Sequence, residues 1–251
     1  MSWIADHLWF GVGLLVLVAA TIGLARLSGI GLGWTPLWSL TRATVQLSVV
    51  ALLLRGILTV EWTVVAFLAL MVTTATWTAS GRLRELWHGR RAAVLGVVSG
   101  AAVSLLLIFA LGLVDLQVRY VVATAGIVIG NAMSAATLSG RNFLRAARQR
   151  RDEVEGWLAL GATPAEAHLA IGQEAVRESL LPNLDQTRST GLVTLPGAFV
   201  GALFGGASPG EAAQFQLVVL AGIALAMTIC GVIVTRVLGR SPYVNVARDH
   251  A

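Results

Sequence analysis

Glu155-Gly-Trp-Leu-Ala-Leu-Gly161-Ala-Thr-Pro164 sits at the centre of a polar, Arg-rich stretch, residues 140–191, in an otherwise apolar chain. Upstream of Gly161, the apolar residues Phe143, Ala147, Val154, Trp157 and Leu158 recur at helical spacing among Arg and Glu. That period predicts an amphipathic helix over 142–160. Gly161 stops it, because glycine alone adopts the left-handed turn that ends many helices without steric cost. Thr163-Pro-Ala-Glu166 then offers a capping box with Pro at the first helical position. The second helix is expected to run toward Leu181 and to end before Pro182. A helix stop followed at once by a helix start is a helix–turn–helix.

Outward from this hairpin the chain is membrane material. It is 56% hydrophobic and 12% charged, with mean hydropathy +0.78. A bilayer core takes about 20 apolar residues of helix, and seven windows are read as spans: 8–25, 43–58, 62–80, 92–114, 119–138, 192–207 and 215–238. The sixth is the shortest and the richest in Gly. The expectation is one all-α polytopic membrane domain over 1–251, with 140–190 as a cytoplasmic segment between spans five and six. The first span lacks the basic start and small-residue cleavage site of a removable signal. The single cysteine, Cys230, excludes a disulfide framework within the chain.

Charge placement gives an orientation. Arg82, Arg84, Arg90 and Arg91 separate spans three and four, Arg141, Arg145, Arg148, Arg150 and Arg151 follow span five, and Arg236, Arg240 and Arg248 follow span seven. Short Arg-rich loops face the cytoplasm, so the N-terminus is expected outside and the C-terminus inside a bacterial cytoplasmic membrane. The opposite loops hold mainly Glu61, Asp115 and Glu211, with Arg55 and Arg119 at their edges. Basic loops against an anionic inner leaflet explain the basic pI, so no nucleic-acid partner is needed.

Small residues four apart let membrane helices approach closely. Gly197, Gly201 and Gly205 form one such ladder, expected to pack helices, and Gly96, Gly100 and Ser104 form another. Gly126, Gly130 and Ser134 form a third. Pro196 beside Gly197 is expected to break or bend span six.

Glu155, five residues, then Gly161-Ala-Thr-Pro164 resembles the EAA loop of ABC-transporter permeases, whose short coupling helix docks in a cleft of the ATPase subunit. Gly156 and Trp157 replace the family's alanines, and Gln173 stands where a Pro is expected. A longer set of motifs resembles the FetB/YbbM family of membrane subunits, described as iron-export ABC permeases with plant members linked to aluminium tolerance. It comprises Arg42-Ala-Thr-Val-Gln46-Leu, Gly130-Asn-Ala-Met133, Leu160-Gly-Ala-Thr-Pro164, 175–182 and Gly191-Leu-Val-Thr-Leu-Pro-Gly197. The resemblance implies a permease homodimer with two cytoplasmic ABC ATPase subunits, which bind the ATP and Mg. It makes Glu155, Gly161, Thr163, Pro164 and Glu166 the coupling residues, and iron or a related metal cation the exported species.

Polar and soft groups inside spans are the candidates for a substrate path. Gln46 lies on span two, Asn131, Met133 and Ser134 on span five, and Met227 and Cys230 on one face of span seven. Sulfur ligands suit soft or borderline metals, but Met and Cys in helices also serve as packing residues. No Asp or Glu lies deep in a span, and His7, His88, His168 and His250 fall outside the spans. No metal site is therefore assigned.

Three functions compete on these residues. An ABC permease needs a separate ATPase, and a chain without Lys cannot hold the Gly-x-x-x-x-Gly-Lys phosphate loop, so no cofactor is expected on it. An ion-coupled secondary transporter of a small solute is the alternative, and commonly uses buried carboxylates that these spans lack. An intramembrane enzyme would need catalytic groups at depth, and none stands there. The chain reads as a transport subunit, not an enzyme.

Overall fold

The computed structural model describes residues 2–57 and 63–242, with side chains over 9–52 and 63–242. Glu61, Arg248 and His250 lie outside the described residues, as do the side chains of His7 and Arg55. The chain divides into two compact units, Met1–Val60 and Glu61–Ala251.

The first unit is a helical hairpin, α1 (Ser2–Leu27) and α2 (Thr35–Ile57). Gly29 and Gly33 turn the chain with φ of 69° and 53°. Arg26 stands 5.2 Å over the Trp34 ring, closing the turn through a cation–π contact.

The second unit holds α3 (Thr63–Arg82), α4 (Gly89–Ala110), α5 (Val118–Gln149), α6 (Arg151–Ala159), α7 (Pro164–Ala167), α8 (Leu169–Ser189), α9 (Gly197–Phe204) and α10 (Pro209–Leu238). Among the described residues, Trp9–Leu27 of α1, with α3, α4, α5 and α10, makes five helical segments long and apolar enough to cross a membrane. The chain is an all-α polytopic membrane protein, with apolar side chains such as Val65, Trp77 and Leu106 exposed on its outer faces.

α2, at the second expected span, has the length of a span, with 23 residues, and carries Thr41, Arg42, Thr44 and Gln46. The sixth of the seven expected spans falls short. α9 has only 8 residues, a rise of about 12 Å against a hydrocarbon core of about 30 Å. Pro196 is its N-cap, and Gly205 followed by Gly206 at φ 92° ends it.

α4 against α10 is the tightest seam. A Cβ on Gly100 would lie 2.5 Å from the Ala226 carbonyl oxygen, and one on Gly96 would lie 2.8 Å from Val234 Cγ2. Ser104 Oγ donates to the Gly222 carbonyl at 2.8 Å, fully buried. The Gly96–Gly100–Ser104 ladder thus removes bulk where two backbones meet and ends on a hydrogen bond. Where lipid cancels the hydrophobic drive, such contact holds helices together. A Cβ on Gly126 would lie 3.0 Å from Met71 Cε, and one on Gly130 would meet nothing within 4 Å.

The second helix of the hairpin differs most from expectation. It does not end before Pro182. A one-turn α7 breaks at His168, and α8 then continues through Pro182 to Ser189. Its 21 residues rise about 32 Å. Nor does it lie across the end of the bundle: Ile171, Gly172, Ala175, Val176 and Ser179 form a buried stripe against α5 and α10. Three close approaches fix an antiparallel register with α10. A Cβ on Gly239 would lie 3.3 Å from His168 Cβ, one on Gly172 3.3 Å from Thr235 Cβ, and one on Gly231 3.2 Å from Val176 Cγ1. α8 therefore climbs beside α10 toward the level of Gln216. Its charges had disguised it as a surface helix.

Candidate functional site

The upper part of α8 opens a cavity of about 980 Å³ between α5, α8, α9 and α10. Asp115, Arg119 and Glu211 line one end, and Asn131 and Ile223 line it deeper in. From Arg119 to Asn131 and from Glu211 to Ile223 is twelve residues each, so the cavity descends about 18 Å along both helices.

Neutral amides make its polar wall. Gln216 is buried, and its Oε1 accepts the Phe199 N–H of α9 at 3.1 Å, leaving its amide N–H groups for the cavity. Asn131 Nδ2 donates to the Ile127 carbonyl at 2.8 Å, leaving its oxygen. Asn183 Oδ1 is one of two buried side-chain polar atoms without a partner among the described residues, the other being Thr124 Oγ1. Gln186 and Thr190 follow Asn183 along α8, and Tyr120 packs on Phe215 at 5.4 Å between ring centroids. Pro182, just below, has no N–H to give the Glu178 carbonyl, so the helix is loosened where it reaches the cavity.

Of the path candidates, Asn131 lines this cavity and the others do not. Met227 and Cys230 are buried core residues, the Cys230 thiol meeting the Ala132 carbonyl at 3.2 Å. Met133 packs against that core, and Ser134 bonds the Gly130 carbonyl of its own helix at 3.1 Å. Gln46 is exposed on α2 in the first unit. The sulfur groups therefore lie outside this cavity. Among the described residues there is no cluster of three His, Cys, Asp or Glu groups that could hold a metal ion.

Gly197, Gly201 and Gly205 also line the cavity, and a Cβ on Gly197 or Gly201 would meet nothing within 4 Å. Within the chain, then, these two ladder positions keep a wall open and pack against no neighbouring helix.

α8 has another face. Gln173, Glu174, Arg177, Glu178, Asp185 and Arg188 are all exposed. Asp185 accepts from Arg188 Nη1 at 3.1 Å, with side chains 65% and 77% exposed. By the register with α10, this pair stands level with the interior of an uncharged span, not at a loop.

The Gly161–Pro164 turn lies at the opposite end. Gly161 has φ 89°, its N–H bonds the Leu158 carbonyl, and the Ala162 N–H bonds the Trp157 carbonyl at 3.0 Å. This is a Schellman stop. Two residues on, the Thr163 hydroxyl and N–H donate to Glu166 Oε2 at 2.7 and 2.8 Å, while the Glu166 N–H returns to the hydroxyl at 3.4 Å. The hydroxyl first and the backbone N–H second pull the Glu166 carboxyl below its ordinary pKa. Glu155 pairs with Arg151 at 2.6 Å. Arg150, where α5 breaks into α6, reaches Glu153 at 2.7 Å and Glu174 of α8 at 3.0 Å. Trp157 and Leu160 stand 52% and 82% exposed beside this turn. Phe143, Trp87, His168 and Ser241 meet nearby, so the Arg-rich segments converge at this end of the bundle.

Asn183, Gln186, Thr190 and Gln216 are the residues sequence reading missed. Their signal was present: the buried stripe of α8 continues at the same spacing from Ser179 into Asn183, Gln186 and Thr190. Charges on the opposite face concealed it.

The family model described as Uncharacterised protein family (UPF0014) matches residues 9–243, and the chain belongs to that family. It is 35% identical over 234 residues to UPF0014 membrane protein STAR2 of Oryza sativa subsp. japonica, covering 90% of this chain and 82% of that protein. Protein ALUMINUM SENSITIVE 3 of Arabidopsis thaliana is 34% identical over 208 residues, 82% of this chain and 76% of its own. Probable iron export permease protein FetB of Escherichia coli (strain K12) is 27% identical over 207 residues, 82% of this chain and 80% of its own. No solved structure matches the chain significantly.

Proposed function

We propose that this chain is the membrane-spanning permease subunit of an ABC transporter that exports iron or a related metal cation, driven by ATP hydrolysed on a separate cytoplasmic subunit. The observation that carries the reading is the Gly161–Pro164 turn. A Schellman stop and a capping box, two residues apart, present exposed Trp157 and Leu160 at the Arg-rich end of the bundle. Such a rigid knob suits a cleft in a soluble partner, and the similarity to a protein named as a probable iron export permease supports the same assignment. The positive-inside rule makes that end cytoplasmic, with the N-terminus outside and the cavity open toward the opposite side.

The exposed Asp185–Arg188 pair supports a homodimer. Charges level with the interior of a span are costly against lipid and face a bundle interior or water. Two copies facing each other along α8 would enclose that water. Motion at the turn would reach the cavity because α7 leads through His168 directly into α8.

The test is co-purification with the ATPase subunit, followed by metal-stimulated ATP hydrolysis in proteoliposomes. Gly161→Leu should leave insertion intact and abolish stimulation. Full coupling in that variant would overturn the reading.

A further inference from the structure

We infer that the species bound in the α5–α8–α9–α10 cavity is a metal already enclosed by its own organic ligand, a carboxylate- or hydroxyl-bearing chelate, and not a bare cation. The inference rests on the transport reading above and names the chemical class that this cavity would take.

Three observations carry it. The first is the chemistry of the wall. Hard cations take six or more oxygen ligands, and carboxylates among them supply the charge that replaces hydration. The deep wall offers Asn131, Asn183, Gln186, Gln216 and Thr190, all neutral. The carboxylates Asp115 and Glu211 stand at the other end, about 18 Å along the helices from the level of Asn131 and about 8 Å from that of Gln216. Glu211 is also committed there to the Ser208 N–H and hydroxyl, both at 2.8 Å.

The second is the character of the amides, which offer donors as well as acceptors. Gln216 has spent its oxygen on Phe199 and turns N–H groups to the cavity, and Gln186 is exposed there with both. An N–H group repels a bare cation but bonds the outer oxygens of a chelate. The unpartnered Asn183 Oδ1 complements a hydroxyl, as a site built for hydrogen bonding must.

The third is size. About 980 Å³ suits an organic ligand around a metal, at the upper end of small-molecule sites of about 300–1,000 Å³. Arg119, 4.9 Å over the Tyr120 ring, stands at the entrance beside Asp115 and Glu211, so an entering ligand passes charges of both signs.

The experiment uses the full chain with its ATPase in proteoliposomes, offered ferric citrate, citrate alone, or ferrous iron held reduced without chelator. Ferric citrate should bind and stimulate ATP hydrolysis, and the other two should not. Gln186→Leu should weaken ferric citrate binding about tenfold, as loss of a hydrogen bond to a charged ligand does, with unchanged thermal unfolding. Asn183→Asp, which adds a carboxylate at that depth, should create a response to free ferrous iron. Equal or stronger stimulation of the unaltered protein by free ferrous iron would overturn the chelate and leave the permease reading standing. Citrate alone acting as well as ferric citrate would overturn it by making the metal incidental. No response to any of the three would also overturn it, and the effect of Gly161→Leu on ATPase association would then judge the permease reading separately.

Discussion

Ser139 of α5 and Ser179 of α8 meet at 2.9 Å between hydroxyl oxygens, both buried. Ser139 donates, and Ser179 passes its own proton to the Val176 carbonyl at 2.7 Å. The short chain of bonds joins a span to the helix that follows the Gly161–Pro164 turn. It lies between the turn and the cavity, so a movement of α7 cannot reach Asn183 without passing it.

Removing the lock should loosen α8 without unfolding the bundle. Ser139→Ala deletes one buried neutral hydrogen bond and should cost about 1 kcal/mol. Gly231→Val should cost more, because a Cβ there would lie 3.0 Å from Ser139 Oγ and 3.2 Å from Val176. Thermal unfolding in detergent should rank the two in that order. The reverse order would mean that α8 is not held by this contact.

Two glycines that look alike in sequence should behave differently. Gly100→Leu drives side-chain atoms into the Ala226 backbone and should prevent a stable fold. Gly201→Leu enters open space in the cavity wall, so the protein should insert and purify normally while losing transport. Yield and size-exclusion profiles distinguish the two. If Gly201→Leu aggregates as Gly100→Leu does, α9 packs on something beyond this chain.

Hydropathy reveals the five segments because their burial in lipid needs only length and apolarity. The turn is legible for another reason: its hydrogen bonds join residues within a few positions of one another, so Gly161, Thr163 and Glu166 announce it without tertiary information. α8 was illegible because its burial uses a narrow stripe of small residues, while Glu174, Arg177, Glu178, Asp185 and Arg188 dominate its average. Met227 and Cys230 were open to two readings, packing and a soft-metal path. Their helical spacing was read correctly, but the face they share points into the α4–α5 core and away from the cavity.

The coupling turn should tolerate few changes. Gly161→Ala places a Cβ at φ 89° and should cost about 1–2 kcal/mol locally. Thr163→Ala removes the cap, for about 1 kcal/mol. Both should weaken association with the ATPase subunit while leaving cavity binding unchanged. The Glu166 carboxyl has a lowered folded pKa, so its contribution is present above the ordinary carboxylate pKa and is lost as pH falls through the lower folded value. ATPase association should therefore show no Glu166-dependent change between pH 7 and 5, tested by comparison with Glu166→Gln. A difference emerging between the two proteins in that window would refute the cap geometry.

The course of α8 gives the sharpest test, because a hairpin lying wholly at the cytoplasmic face predicts something different. In a Cys230→Ala background, Ala165→Cys sits at the start of α7, at the Arg-rich end, whereas Gln186→Cys lines the cavity about 32 Å further along the chain axis. Ala165→Cys should react with an impermeant maleimide only in inverted vesicles or permeabilised cells. Gln186→Cys should react from outside intact cells, at a rate lowered by the cavity and lowered further by Gly201→Leu. The unaltered protein serves as control, since Cys230 is buried. If both positions label from the cytoplasmic side alone, α8 does not traverse the bundle and the cavity opens to the cytoplasm. If both label from outside alone, the positive-inside orientation is inverted, and Trp157 and Leu160 cannot meet a cytoplasmic ATPase.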